Sequence, residues 1–303
     1  MKRVVSVSLG SSKRNHRVEI ELLGEPILIE RIGTDGDMKK AVELIHRLDG
    51  QVDAFGLGGT DLYIQAGNRR YLIREAASIA KAAVKSPIVD GSGLKNTLER
   101  KVIAYLRDKA GMVFQDKKVL MTCGVDRFGM AESLEASGAK VLYGDLIFSL
   151  GIPVPIRSLK ALYWAARIAA PFVCQLPFKY LYPTGERQED IKPKYSKYYY
   201  EADIIAGDFH FVKRFLPPRL EGKTIITNTV TPADLEMMRE RGIDTLITTT
   251  PEINGRSFGT NVMEALLVAL SGKKGEEITP EDYDRMIDRL GFVPRIEKLQ
   301  ERV

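Results

Sequence analysis

Three groups of residues have types and spacings that could do chemistry. The first is Gly124-Val125-Asp126-Arg127-Phe128-Gly129, which follows the apolar run Lys118-Val119-Leu120-Met121-Thr122-Cys123. A glycine turn between a strand and a helix lets backbone amides approach a pyrophosphate at the helix N-terminus. Asp145 stands just past Val141-Leu142-Tyr143, where an acid accepts bonds from a ribose diol. The turn departs from G-x-G-x-x-G at its centre, where Asp126 replaces the glycine that admits the pyrophosphate. An aspartate there repels phosphate, and Arg127 can offset it. A dinucleotide, another nucleotide or anion, and a βαβ unit without ligand are all compatible with this turn. Read as a cofactor site, residues Gly124, Val125, Asp126, Arg127, Phe128 and Gly129 hold the pyrophosphate, with Asp145 on the ribose and Asn228 at a later strand end.

The second group lies in the N-terminal half. Gly56-Leu57-Gly58-Gly59-Thr60-Asp61 follows a short strand and puts Asp61 at its tip. Asp90-Gly91-Ser92-Gly93-Leu94-Lys95 enters a helix, where partial positive charge gathers. A lysine buried in that field has a lowered pKa and serves in proton transfer. Lys95 and Asp61 are therefore the candidate catalytic pair, against the alternative of a solvated lysine and a capping aspartate. The third group is the run Thr249 to Asn261, in which Gly255 and Gly259 frame Arg256 and Ser257 before an apolar helix. That is a place for a carboxylate or phosphate. Asn254, Arg256, Ser257 and Asn261, with Gly58 and Gly59, are the candidate substrate contacts; the alternative is a loop whose polar residues only cap.

The elements that must position these groups alternate. Arg3 to Leu9 reads as a strand, and Arg17–Leu23 with Pro26–Ile32 as a hairpin across Leu23-Gly24-Glu25-Pro26. Met38, Ala41, Val42, Ile45 and Leu48 share one helical face. Val52–Phe55 is a strand, and Arg74–Lys85 and Leu94–Ala110 are helices. Beyond Gly111 the strands are Val119–Cys123, Val141–Tyr143, Phe172–Leu176, Ala202–Ala206, Thr224–Thr227 and Asp244–Thr248. The crossovers between them are long enough for six parallel strands. Leu159 to Phe178 contains Lys160, Arg167 and Pro171, so it reads as a buried helix running into a strand, not a membrane span. Pro177 to Glu201 holds six of the twelve tyrosines and breaks the pattern as a lid or arm. The expected fold class is α/β. An N-terminal α/β domain (1–111) precedes a Rossmann-like, doubly wound parallel-sheet domain (112–272) with its lid at 177–201. The tail 273–303 forms one capped helix and a second short one.

Composition narrows the classes. A chain of 303 residues with 44% apolar and 28% charged residues can bury a proper core. A net charge of +5, with bases and acids interspersed, argues against a nucleic-acid surface. Cys123 and Cys174 lie in apolar runs and read as reduced thiols, which points to the cytoplasm. His16, His46 and His210 are scattered, so no metal site is expected.

The segments SVSLGSS, FGLGGTDLY and TTPEINGRSFGTNVMEA resemble bacterial proteins labelled quinate 5-dehydrogenase, over nearly the full length. The resemblance implies NAD(P)-dependent oxidation of a cyclitol carboxylate such as quinate. The N-V-T-x-P-x-K and N-T-D patterns that carry the lysine and aspartate of quinate and shikimate dehydrogenases do not occur before Lys118. Asn228-Thr229-Val230-Thr231-Pro232 looks like the first but comes after the nucleotide unit and lacks the lysine.

The expected function is an oxidoreductase acting on a hydroxylated carboxylic acid with NAD or NADP. NAD is favoured because an acid at position 145 repels a 2′-phosphate. The alternative is a non-catalytic Rossmann-like protein that binds a nucleotide or small anion. The expected partners are a small carboxylate and, as a homodimer, a second copy, with no nucleic acid or membrane.

Overall fold

The alternating valines and serines of β1 (Lys2–Ser8) are buried from Val4 to Ser8, because the strand lies at the centre of its sheet. The computed structural model describes residues 1–66, 69–177, 191–253, 256–273 and 277–300. β2 (His16–Leu22) and β3 (Glu25–Gly33) form the expected hairpin, turning at Leu23 and Gly24 with φ of 55° and 79°. β1 pairs in parallel with β3 and with β4 (Ala54–Gly58). A second hairpin, β5 (Tyr63–Ala66) and β6 (Arg69–Leu72), precedes β7 (Ile88–Val89), which extends the sheet beside β4. The sheet order is β2-β3-β1-β4-β7. Helix α1 (Met38–Leu48), capped by Asp37, buries Ala41, Leu44 and Ile45 in one core with α2 (Arg74–Ala80). Helix α3 (Ser92–Asp108) follows β7.

The second sheet contains β8 (Lys118–Met121), β9 (Lys140–Tyr143), β10 (Ile204–Ala206), β11 (Thr224–Thr227) and β12 (Thr245–Thr248), all parallel. Among them run α4 (Phe128–Ala136), α5 (Leu159–Val173), α6 (Ser196–Glu201), α7 (Phe209–Arg214) and α8 (Pro232–Glu240). A short pair, β13 (Glu252–Ile253) and β14 (Arg256–Ser257), leads to α9 (Thr260–Ser271), then α10 (Pro280–Arg289) and β15 (Arg295–Lys298). The order is β15-β12-β11-β10-β8-β9. This is a doubly wound α/β arrangement whose direction of winding reverses between β8 and β10.

Three sequence expectations are corrected. Phe172–Leu176 is not a strand: α5 runs to Val173 with Pro171 inside it, and a turn follows. Leu162, Ala166 and Ala170 are its buried residues, a four-residue recurrence that belongs to a helix. The end of the tail is an edge strand, not a helix. β15 pairs antiparallel with β12, and its residues alternate between half-buried and exposed. Thr260–Ser271 follows the second sheet in the chain yet packs on β1 and β4 of the first. Gly56 is a glycine because an added Cβ would lie 2.8 Å from the Asn261 carbonyl oxygen. Of the expected lid, residues 178–190 lie outside the described residues. Its end, α6, buries Tyr198 and Tyr199 in the second core.

Glu264 ties α9 to α3. Its carboxylate accepts from the Gly91 amide at 2.5 Å and from the Tyr283 hydroxyl at 2.6 Å. Burial pushes this carboxyl up to about 7, Asp90 adds to the rise, and the hydrogen bonds restrain it. The folded state therefore binds the proton more tightly than the unfolded chain does. The contribution to stability is full below about pH 4.5 and is lost as pH rises through 7. Glu264→Gln should remove roughly 2 kcal/mol of the stability lost between about pH 5 and 7. Urea unfolding of both proteins across that range checks it; parallel pH profiles would refute the assignment.

Candidate functional site

The carboxyl ends of the parallel strands in the two sheets border a common cleft. Loops after β1, β4, β7, β8, β10 and β11 line one cleft of about 1030 Å3. The floor is built around the start of α3. Asp90 accepts from the Leu62 amide at 2.5 Å and from the amide and hydroxyl of Ser92 at 3.0 and 2.7 Å. These bonds hold the loop after β4 against the helix and carry Asp61 to Lys95. The Lys95 ammonium lies 3.1 Å from Asp61 and 2.7 Å from Asp126. Lys95 and Asp61 thus meet between the first turn of α3 and the loop after β4.

Lys95 is buried and not solvated, but its pKa does not fall as the catalytic reading expects. Burial alone would push the ammonium down. The carboxylates of Asp126 and Asp61 outweigh it and hold the group well above the usual lysine range. One helical turn along α3, Glu99 accepts from Arg127, whose guanidinium also reaches Asp208 at 3.0 Å. Burial raises Asp208, but Arg127, His210 and Lys95 bring it down to about 2. Burial pushes Glu99 up to about 7 against the pull of Arg127 and Lys95. Glu99 Oε2 and Arg127 Nε have no hydrogen-bond partner. Glu99 and Asp208 were missed in the sequence. The available signals were the four-residue spacing from Lys95 and the acid directly after a strand end.

The glycine turn after β8 is not bare. Asp145 turns inward, and its carboxylate accepts from the Gly124 amide at 3.0 Å and the Val125 amide at 2.9 Å. The Arg127 amide donates to the Gly124 carbonyl. Burial pushes Asp145 up to about 6 against the two amide bonds. The glycines serve packing. A Cβ on Gly124 would lie 2.7 Å from the Tyr143 ring, and one on Gly129 2.6 Å from the Asn96 carbonyl oxygen. Phe128 is buried in the core that also holds Leu98, Val102 and Met130. In this conformation a pyrophosphate finds its two leading amides taken, and a ribose finds Asp145 engaged. The turn does not fit a dinucleotide seated as the sequence predicts.

The remaining candidates divide. Asn228 anchors Asp208: its amide nitrogen donates to that carboxylate at 2.9 Å and its oxygen accepts from the Phe209 amide. Gly58, Gly59 and Asn261 line the cleft, but Asn261 donates to the Ser6 hydroxyl at 2.8 Å. Gly58 leaves room for the Asn261 amide, and Gly59, at φ +74°, approaches the Gly10 amide. Asn254 lies outside the described residues, and Arg256 and Ser257 form the backbone of β14.

Around the paired floor, the less buried charges that line the cleft are cationic: Lys13, Arg14, Arg31, Arg214 and Arg295. Arg31 is braced by the Ser11 carbonyl and the Ser8 hydroxyl. Leu162, Ala165, Ala166 and Ala169 of α5 form an apolar wall. Among the described residues there is no metal-ligating group of three or more side chains, and no helix long and apolar enough to cross a membrane.

The chain belongs to the family described as domain of unknown function DUF8754, whose model matches residues 93–299; DUF8753, likewise of unknown function, matches residues 3–90. No curated protein matches. Similar solved structures include a hetero-hexameric glutamate dehydrogenase from Thermus thermophilus, at 12% identity and a TM-score of 0.43, covering 95% of this chain and 73% of that one. An L-tryptophan dehydrogenase from Nostoc punctiforme is similar at 11% identity and a TM-score of 0.33, covering 96% and 88%. A sugar transport substrate-binding protein from Bordetella parapertussis 12822 reaches a TM-score of 0.36 at 11% identity, covering 89% and 79%.

Removing the Asp145 carboxylate should uncover the turn. Asp145→Ala leaves two amides without acceptors, at a cost of about 1–3 kcal/mol each. Its melting temperature should fall, and millimolar inorganic phosphate should restore part of the loss while leaving the unsubstituted protein unmoved. A destabilised variant indifferent to phosphate would show that these amides form no anion cradle.

Proposed function

We propose that the cleft binds a small hydroxylated carboxylic acid, with its hydroxyl at Lys95 and Asp61 and its carboxylate toward the basic mouth. The observation that carries this reading is the Lys95–Asp61 contact where two sets of strand ends meet. Ligands of doubly wound sheets bind at such ends. Positive charge around the opening draws an anion in.

The chemistry open to the pair follows from its electrostatics. A lysine held as an ammonium donates a hydrogen bond or a proton to a substrate oxygen, and does not act first as a base. Asp61 is the acceptor beside it. Asp61 takes the hydroxyl proton and becomes neutral, while the Lys95 ammonium stays charged and stabilises the oxygen by its hydrogen bond; the reverse step returns the proton. Arg127 and Glu99 position this pair from behind, through Asp126.

The resemblance to the quinate 5-dehydrogenase group supports a ligand of the quinate type and an oxidoreductase using NAD or NADP. The occupied turn favours the second reading, a protein that binds a small anion without a dinucleotide. The two separate on titration with NADH: fluorescence enhancement at sub-millimolar concentration supports the oxidoreductase.

Calorimetry with a panel of hydroxy acids, quinate among them, tests the ligand class. Asp61→Asn keeps the side chain's shape and removes its charge. It should weaken binding at least about tenfold, near 1.4 kcal/mol, while the far-ultraviolet circular dichroism stays that of the parent. Absence of binding across the panel, or binding that ignores Asp61→Asn, would overturn the reading.

A further inference from the structure

The outward side of α5 is apolar from Trp164 to Phe172, and the exposed Lys160 stands one turn before it on the same row. Leu162, Ala166 and Ala170 face the interior, while Ala161, Trp164, Ile168, Pro171 and Phe172 face out. Trp164, Ile168 and Phe172 are 49, 67 and 74% exposed. At the angular step of a helix these three fall within roughly 80° of one another. Lys160 and Arg167 flank the stripe without interrupting it. A surface helix ordinarily turns polar residues to water, and a helix apolar on all sides is a buried one. Trp164 is also held in place: the Arg167 guanidinium lies over its ring at 5.5 Å, and Tyr163 meets it edge-on. A fixed tryptophan is a typical interface anchor.

We propose that this face is where two copies of the chain associate, α5 against α5, antiparallel about a two-fold axis through Ile168. The stripe is symmetric in size about that residue, with an aromatic ring four positions before it and another four positions after. Crossed on a two-fold axis, Ile168 meets its own copy, and Trp164 of each chain meets Phe172 of the other. This is the self-complementarity that an isologous contact requires. The three side chains expose about 350 Å2 per copy, taking their exposed fractions of typical side-chain areas. With apolar atoms making about 65% of a homodimer interface, the whole contact comes to about 1,100 Å2. That lies just under the standard range, where contacts are weak and association depends on concentration. The opposite side of the same helix walls the cleft, so pairing would brace that wall.

Sedimentation velocity of the full chain from about 1 to 200 μM is the test. The expected result is a monomer–dimer equilibrium within that range. Ile168→Glu places two like charges at the axis and should weaken association at least about a hundredfold, with unchanged far-ultraviolet circular dichroism. Phe172→Glu, at the end of the stripe, serves as a second variant should the first unfold. A monomer throughout the range, or variants that dimerise like the parent, would overturn the proposal. So would a monomeric chain that binds phosphatidylcholine vesicles in an Ile168-dependent way, which would assign the face to a lipid surface. None of these outcomes depends on which ligand fills the cleft.

Discussion

The cleft depends on charge that has been taken out of water. Lys95, Arg127, Glu99 and Asp126 meet where the first helix after β7 touches the turn after β8. Burying these groups is costly, and their mutual attraction compensates only while every partner is in place. Such a network contributes little net stability. Its pairs join α3 to the turn at residues 124–129. Asn228 and Asp208 extend the network to the strand ends beyond.

The location of this network explains what became of the glycine turn. Doubly wound sheets open a crevice where the winding reverses, here between β8 and β10. In this protein Asp126, Arg127 and Asp208 occupy that crevice with a packed set of ion pairs. Asp145 completes the closure from the β9 side. Glycine at 124 and 129 answers to Tyr143 and Asn96, so the spacing that suggests a phosphate cradle comes here from close packing. Ser6, Ser8 and Lys95, all buried, and the half-buried Asp61 line the same cleft from the first sheet and α3.

Much of this was legible in the chain. The hairpin at Leu23-Gly24, the caps Asp37 and Thr231, and the five parallel strands of the second sheet all follow local signals that tertiary packing did not override. Lys95 and Asp61 were legible as residues at strand-exit turns, although the direction of the lysine's shift was not. That direction depends on Asp126, which lies 31 positions away and which no spacing rule couples to Lys95. The end of α5 differs from the sequence reading because Pro171 reads as a helix breaker, whereas here it sits in the helix's last turn. The seat of α9 was invisible for a different reason: an apolar helix states that it will be buried, not against which sheet.

That seat has a consequence for synthesis. The bond from Gly91 to Glu264 spans 173 positions. While the ribosome is still making the later part of the chain, β1 and β4 have one broad side with nothing to lie on it. At about 5–20 residues per second that interval lasts on the order of ten to thirty seconds. The two regions matched by separate family models are therefore interdependent in assembly: the earlier one reaches its finished form only after most of the later one has emerged.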